Sequence, residues 1–275
     1  MALTVTDAIV LHAFDYLETS RILRLLTREA GVQSVIAKGA RRNRAKYGSA
    51  VDLFSQGEAQ LYLKPGRDLH TLAAFDVTRA RTALALDMDR FLAASALAEL
   101  VLRIGRDDGN PALYDAIVAT LDALETATGN AVVATGLAGA WRAVVASGFA
   151  PAIDRCATCH TPLDPLATVA FSHPSGGALC ERCARLAPAT RRLPPTARDM
   201  LRASLGESAA DADPMKGEGS SSSRSGRLPF ASVAPLEPAD ARAHLRLLRE
   251  FLHEHVAEER TGRAFTAWES GIARS

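Results

Sequence analysis

Over the first 80 residues apolar and polar positions alternate in short runs bounded by turn formers, the period of strands that bury one face. Residues 4–14 read as a first strand and 21–27 as a second. Glu29-Ala30-Gly31 makes a hairpin connection into 32–37, with Gly31 supplying the positive φ such a turn often needs. Residues 58–64 alternate up to the Pro65-Gly66 turn, and 71–77 follow. Five short strands in so little chain predict a small closed or partly open β-barrel, for which an OB-fold is one natural candidate.

From Arg81 the period changes to 3.6. Leu84, Met88, Phe91, Leu92, Ala96 and Leu100 share a face in a stretch free of glycine and proline, which predicts one long helix. Asn110-Pro111 opens a second helical pattern through Tyr114, Ile117, Val118, Leu121 and Leu124, and Gly129-Asn130 precedes a third, apolar one up to Gly148. Thr196 with Asp199 three residues on resembles a capping box for a helix ending near Leu205. Residues 206–227 are dominated by Gly, Ser, Ala, Asp and Glu, including the run Ser220 to Ser223, and are expected to form a flexible insertion because they bury too little apolar surface to offset ordering entropy. Helical periodicity returns at Ala239, with Leu245, Leu248, Leu252 and Val256 on one face, so the segments flanking the insertion are expected to pack into one helical body.

The resulting fold class is α+β and multidomain: an N-terminal five-stranded barrel, then a mainly α-helical part with a cysteine module embedded in it. The expected boundaries are 1–80 for the barrel, 81–150 for the first helical part, 151–188 for the cysteine module and 189–275 for the second helical part. A chain of 275 residues with 48% hydrophobic content is large enough for two cores. Aromatic residues are only 5%, which leaves few platforms for stacking sugars or bases. The longest apolar run, 131–141, stops at Arg142, well short of a membrane span, and the first ten residues carry Asp7 and no basic leader, so the protein is expected to be cytoplasmic.

The four cysteines are confined to one window, as Cys156-x-x-Cys159 and, after 20 residues, Cys180-x-x-Cys183. Two such knuckles turn backbone amides toward paired thiolates and close a tetrahedral shell around one Zn²⁺. A strand over 168–172 and the Gly176-Gly177 turn would return the second knuckle to the first. His160 and His173 are spare, since four sulfurs already saturate the ion. A saturated ion has no position open to water, so the zinc is expected to be structural and not catalytic.

The formal charge is +1, so any affinity for a polyanion must come from clustering. Lys38, Arg41, Arg42, Arg44 and Lys46 form such a cluster with no acid among them, between the third and fourth expected strands. Residues 1–80 hold 11 basic and 8 acidic side chains, an excess that comes from this loop. If all five engaged single-stranded DNA, log K would fall against log salt with a slope of about −3.5, the mark of binding without sequence preference.

No phosphate-binding G-x-x-x-x-G-K-[ST] loop, dinucleotide G-x-G-x-x-G turn or G-x-S-x-G elbow is present. His253-Glu254-His255 has a spacing of two, which puts the histidines on different helix faces, and reads as a solvated face. Asp87, Asp89 and Glu99 are not paired as acid and base, and no catalytic constellation emerges, so the chain is read as a non-enzyme.

In Asp15-Tyr16-Leu17-Glu18, the strand ending Leu25-Leu26-Thr27-Arg28-Glu29-Ala30-Gly31, Lys38-Gly39-Ala40-Arg41-Arg42, Ala98-Glu99-Leu100, Gly148-Phe149-Ala150-Pro151, Phe171, Gly176-Gly177 and the two cysteine pairs, the chain resembles the bacterial RecO family of recombination mediators, in order and along its whole length. The insertion at 206–227 departs from the family pattern. The resemblance implies an OB-fold, a helical domain and a zinc module. It implies binding of single- and double-stranded DNA, annealing of complementary strands coated by single-strand-binding protein (SSB), and, with RecR and sometimes RecF, loading of RecA. It also implies that Lys38, Arg41 and Arg42 contact phosphate and that the helical domain receives the acidic, apolar-ended SSB tail; Arg44 and Lys46 extend the patch on charge alone. Two readings from other classes compete: an RNA-binding protein that uses the same barrel and zinc parts, and a scaffold whose helices bind protein while the basic loop is inert.

Overall fold

The computed structural model describes residues 2–40, 52–188, 190–205, 235–256 and 262–274. The basic positions Arg41, Arg42, Arg44 and Lys46 and the Ser-rich segment 206–227 lie outside the described residues. The chain divides into two compact units, one comprising 1–127 with 262–271 and the other 128–261 with 272–275.

The first unit begins with five strands: β1 Ala2–Tyr16, β2 Ser20–Thr27, β3 Gly31–Ala37, β4 Gln56–Leu63 and β5 His70–Arg79. They close in the order β1-β2-β3-β5-β4, antiparallel except for the short parallel contact between β3 and β5, which is the expected OB-like barrel. Alternate residues point inward, so Ala8, Val10, Leu23, Leu25, Val35, Ala37, Leu61, Leu72 and Phe75 fill the interior. A bulge between Val10 and His12 bends β1 and lets Val10 exchange backbone bonds with Phe54 and Ser55.

Gly31 stands at φ +64°, as its place after the β2–β3 turn requires. A Cβ there would lie 2.2 Å from the carbonyl oxygen of Arg106, because the segment after the first long helix lies directly on this hairpin: the Val32 amide donates to Arg106 O at 2.7 Å. Gly31→Ala therefore combines a left-handed L-residue with a backbone clash and is expected to lose more than about 2 kcal/mol of stability. Gly66→Ala is the control, since Gly66, in the turn after Pro65, has φ +68° but nothing within 4 Å of the new Cβ. Thermal unfolding of both variants checks this; equal shifts in Tm would contradict it.

The long helix expected from Arg81 is broken. A single turn, Thr82–Ala85, is followed by helix α1 at Met88–Ile104, because the Asp87 carboxylate accepts the Arg90 amide at 3.0 Å and starts a new helix. Leu86 and Met88 are 87% and 71% exposed, so Met88 does not share the buried face assigned to it. Helix α2, Pro111–Thr126, starts as expected, with Asn110 Oδ1 accepting from the Leu113 amide at 2.9 Å and proline in the first turn.

In the second unit, helix α3 at Asn130–Ala146 is so apolar that it buries most of its length. A small sheet of β6 Val169–Ser172, β7 Gly177–Leu179 and β8 Arg191–Leu193 adds a third strand to the expected hairpin. Helices α4, Pro195–Leu205, and α5, Pro238–His255, flank the insertion and pack on each other and on α3, where Trp141 meets Phe251 with ring centroids 5.3 Å apart. Thr196 is not the cap of α4. Pro195 begins the helix and the Arg198 amide already bonds to Pro194 O, so the proline pair sets the start. Helix α6, Arg263–Arg274, completes the described residues; at its start Glu99 of α1 accepts the amides of Ala264 and Phe265. No helix of the described residues is long and apolar enough to cross a membrane.

Candidate functional site

The four cysteine sulfurs come together within 4.8 Å of one another. The first knuckle closes when the His160 amide donates to Cys156 O at 2.9 Å, with His160 at φ +58°, and the Cys156 amide donates to Thr161 O. The second begins at Cys180, extended at φ −69°, ψ 161°, so the one-turn helix Glu181–Ala184 carries Cys183 back beside it. The knuckles are registered by backbone bonds from Ala157 to Ala178 O and from Ala178 to Ala152 O. Gly177 is required there, since a Cβ would sit 2.2 Å from Ala152 O.

A tetrahedral ion with Zn–S bonds of about 2.3 Å needs sulfurs about 3.8 Å apart. Cys159 and Cys180 are separated by 3.7 Å, so the donor set has the size and softness for a metal ion. Hydrogen bonding from Thr161 draws the Cys159 thiol down to about 5, while the Cys183 thiol, sharing hydrogen with Cys180, is pushed up to about 12. Among the described residues the cluster contains no histidine: His160 is exposed, and His173 lies against Phe171 and 3.0 Å from Glu250.

Buried arginine braces the module. Arg198, only 1% exposed, donates to Asp164 O at 2.7 Å and faces Asp154, while Arg202 hydrogen-bonds Asp154 and holds its carboxyl below the usual range. On the other side His255, expected on a solvated face, packs its ring on Phe251 and meets His173 O at 2.8 Å. His253 and Glu254 do remain exposed. Beside β8 a groove of about 370 Å³ has Phe171, Leu193 and Leu247 in its lining with Arg192 and Arg246. His244, 6% exposed, also lines it, and its Nε2 has no hydrogen-bond partner among the described residues.

On the barrel, Lys38 is exposed at the end of β3, with no carboxylate paired to it among the described residues. It shares an open depression with Lys64, Arg67 and Asp68 of the β4–β5 connection and with His70, the first residue of β5. The Lys64 amide donates to His70 Nδ1 at 3.1 Å, which leaves the other ring nitrogen to carry the proton. Sequence reasoning missed Lys64, Arg67 and His70 because they are distant from Lys38 in the chain, and only the parallel pairing of β3 with β5 brings them together.

Two family models cover the chain in order. Recombination protein O N terminal matches residues 1–81 and Recombination protein O C terminal matches 85–264. A protein of Anaeromyxobacter sp. (strain K) called DNA repair protein RecO is 33% identical over 259 residues, 94% of this chain and 93% of the relative. One of the same name from Rubrobacter xylanophilus is 33% identical over 191 residues, 68% of this chain and 74% of its own.

Proposed function

The chain belongs to the recombination protein O family, a family of DNA repair and recombination proteins, and from that premise we propose that it binds single- and double-stranded DNA, anneals complementary SSB-coated strands and, with RecR and sometimes RecF, helps load RecA, without hydrolysing nucleotide. Residues 1–80 are the DNA-binding domain in this reading, 81–150 and 189–275 the helical body and 151–188 the metal module, and the protein works in the cytoplasm at the nucleoid. Lys38, Arg41, Arg42, Arg44 and Lys46 contact phosphate. They neutralise two approaching strands and lower the repulsion that slows their pairing, while base pairing supplies the choice of partner and the driving force. The observation that carries this reading is the gathering of Lys38, Lys64 and Arg67 around one depression at the barrel edge, which Asp68 also lines, with no carboxylate ion-paired to them among the described residues. Cys156, Cys159, Cys180 and Cys183 hold one structural Zn²⁺. The apolar-floored groove beside β8, rimmed by Arg192 and Arg246, suits the charge and shape of the acidic, apolar-ended SSB tail.

The test is annealing of SSB-coated complementary oligonucleotides without ATP, with Lys38→Glu/Arg41→Glu beside the native sequence and with SSB lacking its last residues as a further arm. The double reversal is expected to slow annealing and to flatten the salt dependence of DNA binding by about 0.7 in slope per lost contact. Annealing and affinity that survive the reversal unchanged would reject the assigned surface; indifference to the SSB truncation would reject the tail.

A further inference from the structure

The four sulfurs of the cysteine cluster are not equally accessible. Cys156 is completely buried, while Cys159, Cys180 and Cys183 are partly exposed. Thr158, His160 and Thr161 around Cys159 are all exposed, and so are Glu181 and Arg182 next to Cys180. A small solute that cannot reach Cys156 thus meets Cys159 and Cys180.

These two also face each other. Cys159 belongs to the first knuckle and Cys180 to the second, and their Sγ atoms are 3.7 Å apart. A disulfide bond needs them at about 2.05 Å, so a small shift of either knuckle joins them. Cys180 leads into the one-turn helix Glu181–Ala184, none of whose residues is buried, which leaves that side room to give. Binding to a metal holds such sulfurs as thiolates, the form that attacks an oxidant.

We propose that Cys159 and Cys180 are an oxidative modification site, a pair that hydrogen peroxide converts to a disulfide with release of the metal. The proposal rests on the metal reading of the four cysteines and goes beyond it. One thiolate attacks a peroxide oxygen: an S–O bond forms, the O–O bond breaks and hydroxide leaves, giving a sulfenic acid. The other thiolate attacks that sulfur, the S–S bond forms and a second hydroxide leaves. The two sulfurs give up two electrons, the peroxide is reduced, and both hydroxides take protons from the buffer to become water. Only Cys156 and Cys183 then remain as thiolates, too few for the closed four-coordinate shell of a structural zinc. A disulfide within one knuckle would let the two halves of the module part once the metal left. The bond between knuckles replaces the metal's link by a covalent one, so the module loosens without parting and reduction restores four thiolates in place. Phe171, buried in the sheet that the knuckles hold, also lines the groove beside β8, so loosening the module disturbs that groove. In a reducing compartment such a disulfide is transient, which suits a response to oxidant rather than a permanent brace.

The experiment uses the full native chain, so no variant has to fold. Its metal content is measured first, and hydrogen peroxide is then added from substoichiometric amounts to excess. Released zinc is read with a chromogenic chelator, and the thiols are mapped by alkylation and peptide mass spectrometry. One zinc ion is expected to leave for each Cys159–Cys180 linkage found, with Cys156 and Cys183 still alkylated after denaturation. A dithiol reductant with added zinc should reverse both changes. The melting transition of the unit spanning residues 128–261 should fall and recover with them, while oligonucleotide affinity stays unchanged. Linkages within a knuckle, sulfinic acid as the main product, or zinc retained while the linkage forms would overturn the proposal and leave the metal reading standing. A native chain that purifies without metal ends both.

Discussion

A Cys156→Ser chain is expected to purify without its full complement of metal and to melt far below the native sequence in the unit spanning residues 128–261. Cys156 is completely buried and the other three sulfurs are partly so. The sheet around them has only three short strands, and its core amounts to little more than Val169, Phe171, Ala178, Leu179 and Leu193. A structural Zn²⁺ contributes about 10 to 16 kcal/mol of apparent binding energy at neutral pH, as much as the whole net stability of an ordinary domain. Removing one thiolate therefore leaves a hairpin that cannot hold its knuckles by packing alone. Chelation of the native protein should give the same lowered transition, and metal analysis should find one zinc per native chain. DNA affinity is the second readout: since the cations assigned to DNA are in the other unit, it should persist in the variant at temperatures where the barrel remains folded. A metal-free native protein, or a Cys156→Ser chain melting with it, would end the structural-zinc reading. Loss of DNA binding with melting unchanged would instead place the metal at the DNA.

The parts of this architecture that are local in sequence were legible in it. All five barrel strands lie where period-2 alternation puts them, because each strand keeps one inward face, and the cysteine knuckles declare themselves by spacing. Two kinds of feature were not legible. One is competition at a helix end: nothing in the apolar pattern of 81–100 marks the break at Asp87, where a single carboxylate caps a new helix and the periodic residues continue past it almost in phase. The other is juxtaposition of distant residues. β8 becomes a strand only because β6 offers it an edge, and Lys64, Arg67 and His70 reach Lys38 only through barrel closure.

The largest effect expected from a single side chain outside the metal site is at Arg81, which the sequence presents as nothing more than the end of the barrel. Its side chain is wholly buried. One terminal nitrogen donates to Phe54 O at 3.1 Å, and the other reaches Gln56 Oε1 at 2.6 Å and Asp122 Oδ1 at 2.7 Å. Phe54 is itself held at φ +66°, unfavourable for a bulky residue, while its ring packs edge-on to Phe91. The guanidinium thus ties the approach to β4, the strand itself and helix α2 to one point. Arg81→Met removes the charge and takes this donor from Phe54 O and Gln56 Oε1, while Asp122, itself a quarter exposed, keeps Arg79. At about 1 to 3 kcal/mol for each acceptor left unsatisfied, the expected loss is about 2 to 5 kcal/mol, a large part of the stability of a typical domain. Arg81→Lys should recover only part of it, since one ammonium cannot span three acceptors that a planar fork reaches together. Arg79 supplies the control: it pairs with the same Asp122 at 2.9 Å but is 46% exposed, so Arg79→Ala should cost no more than about 1 kcal/mol. Urea unfolding at constant m-value separates the two cases. If Arg81→Met proves as mild as Arg79→Ala, burial has not made this ion pair different from a surface one, and the guanidinium is not what ties the barrel to α2.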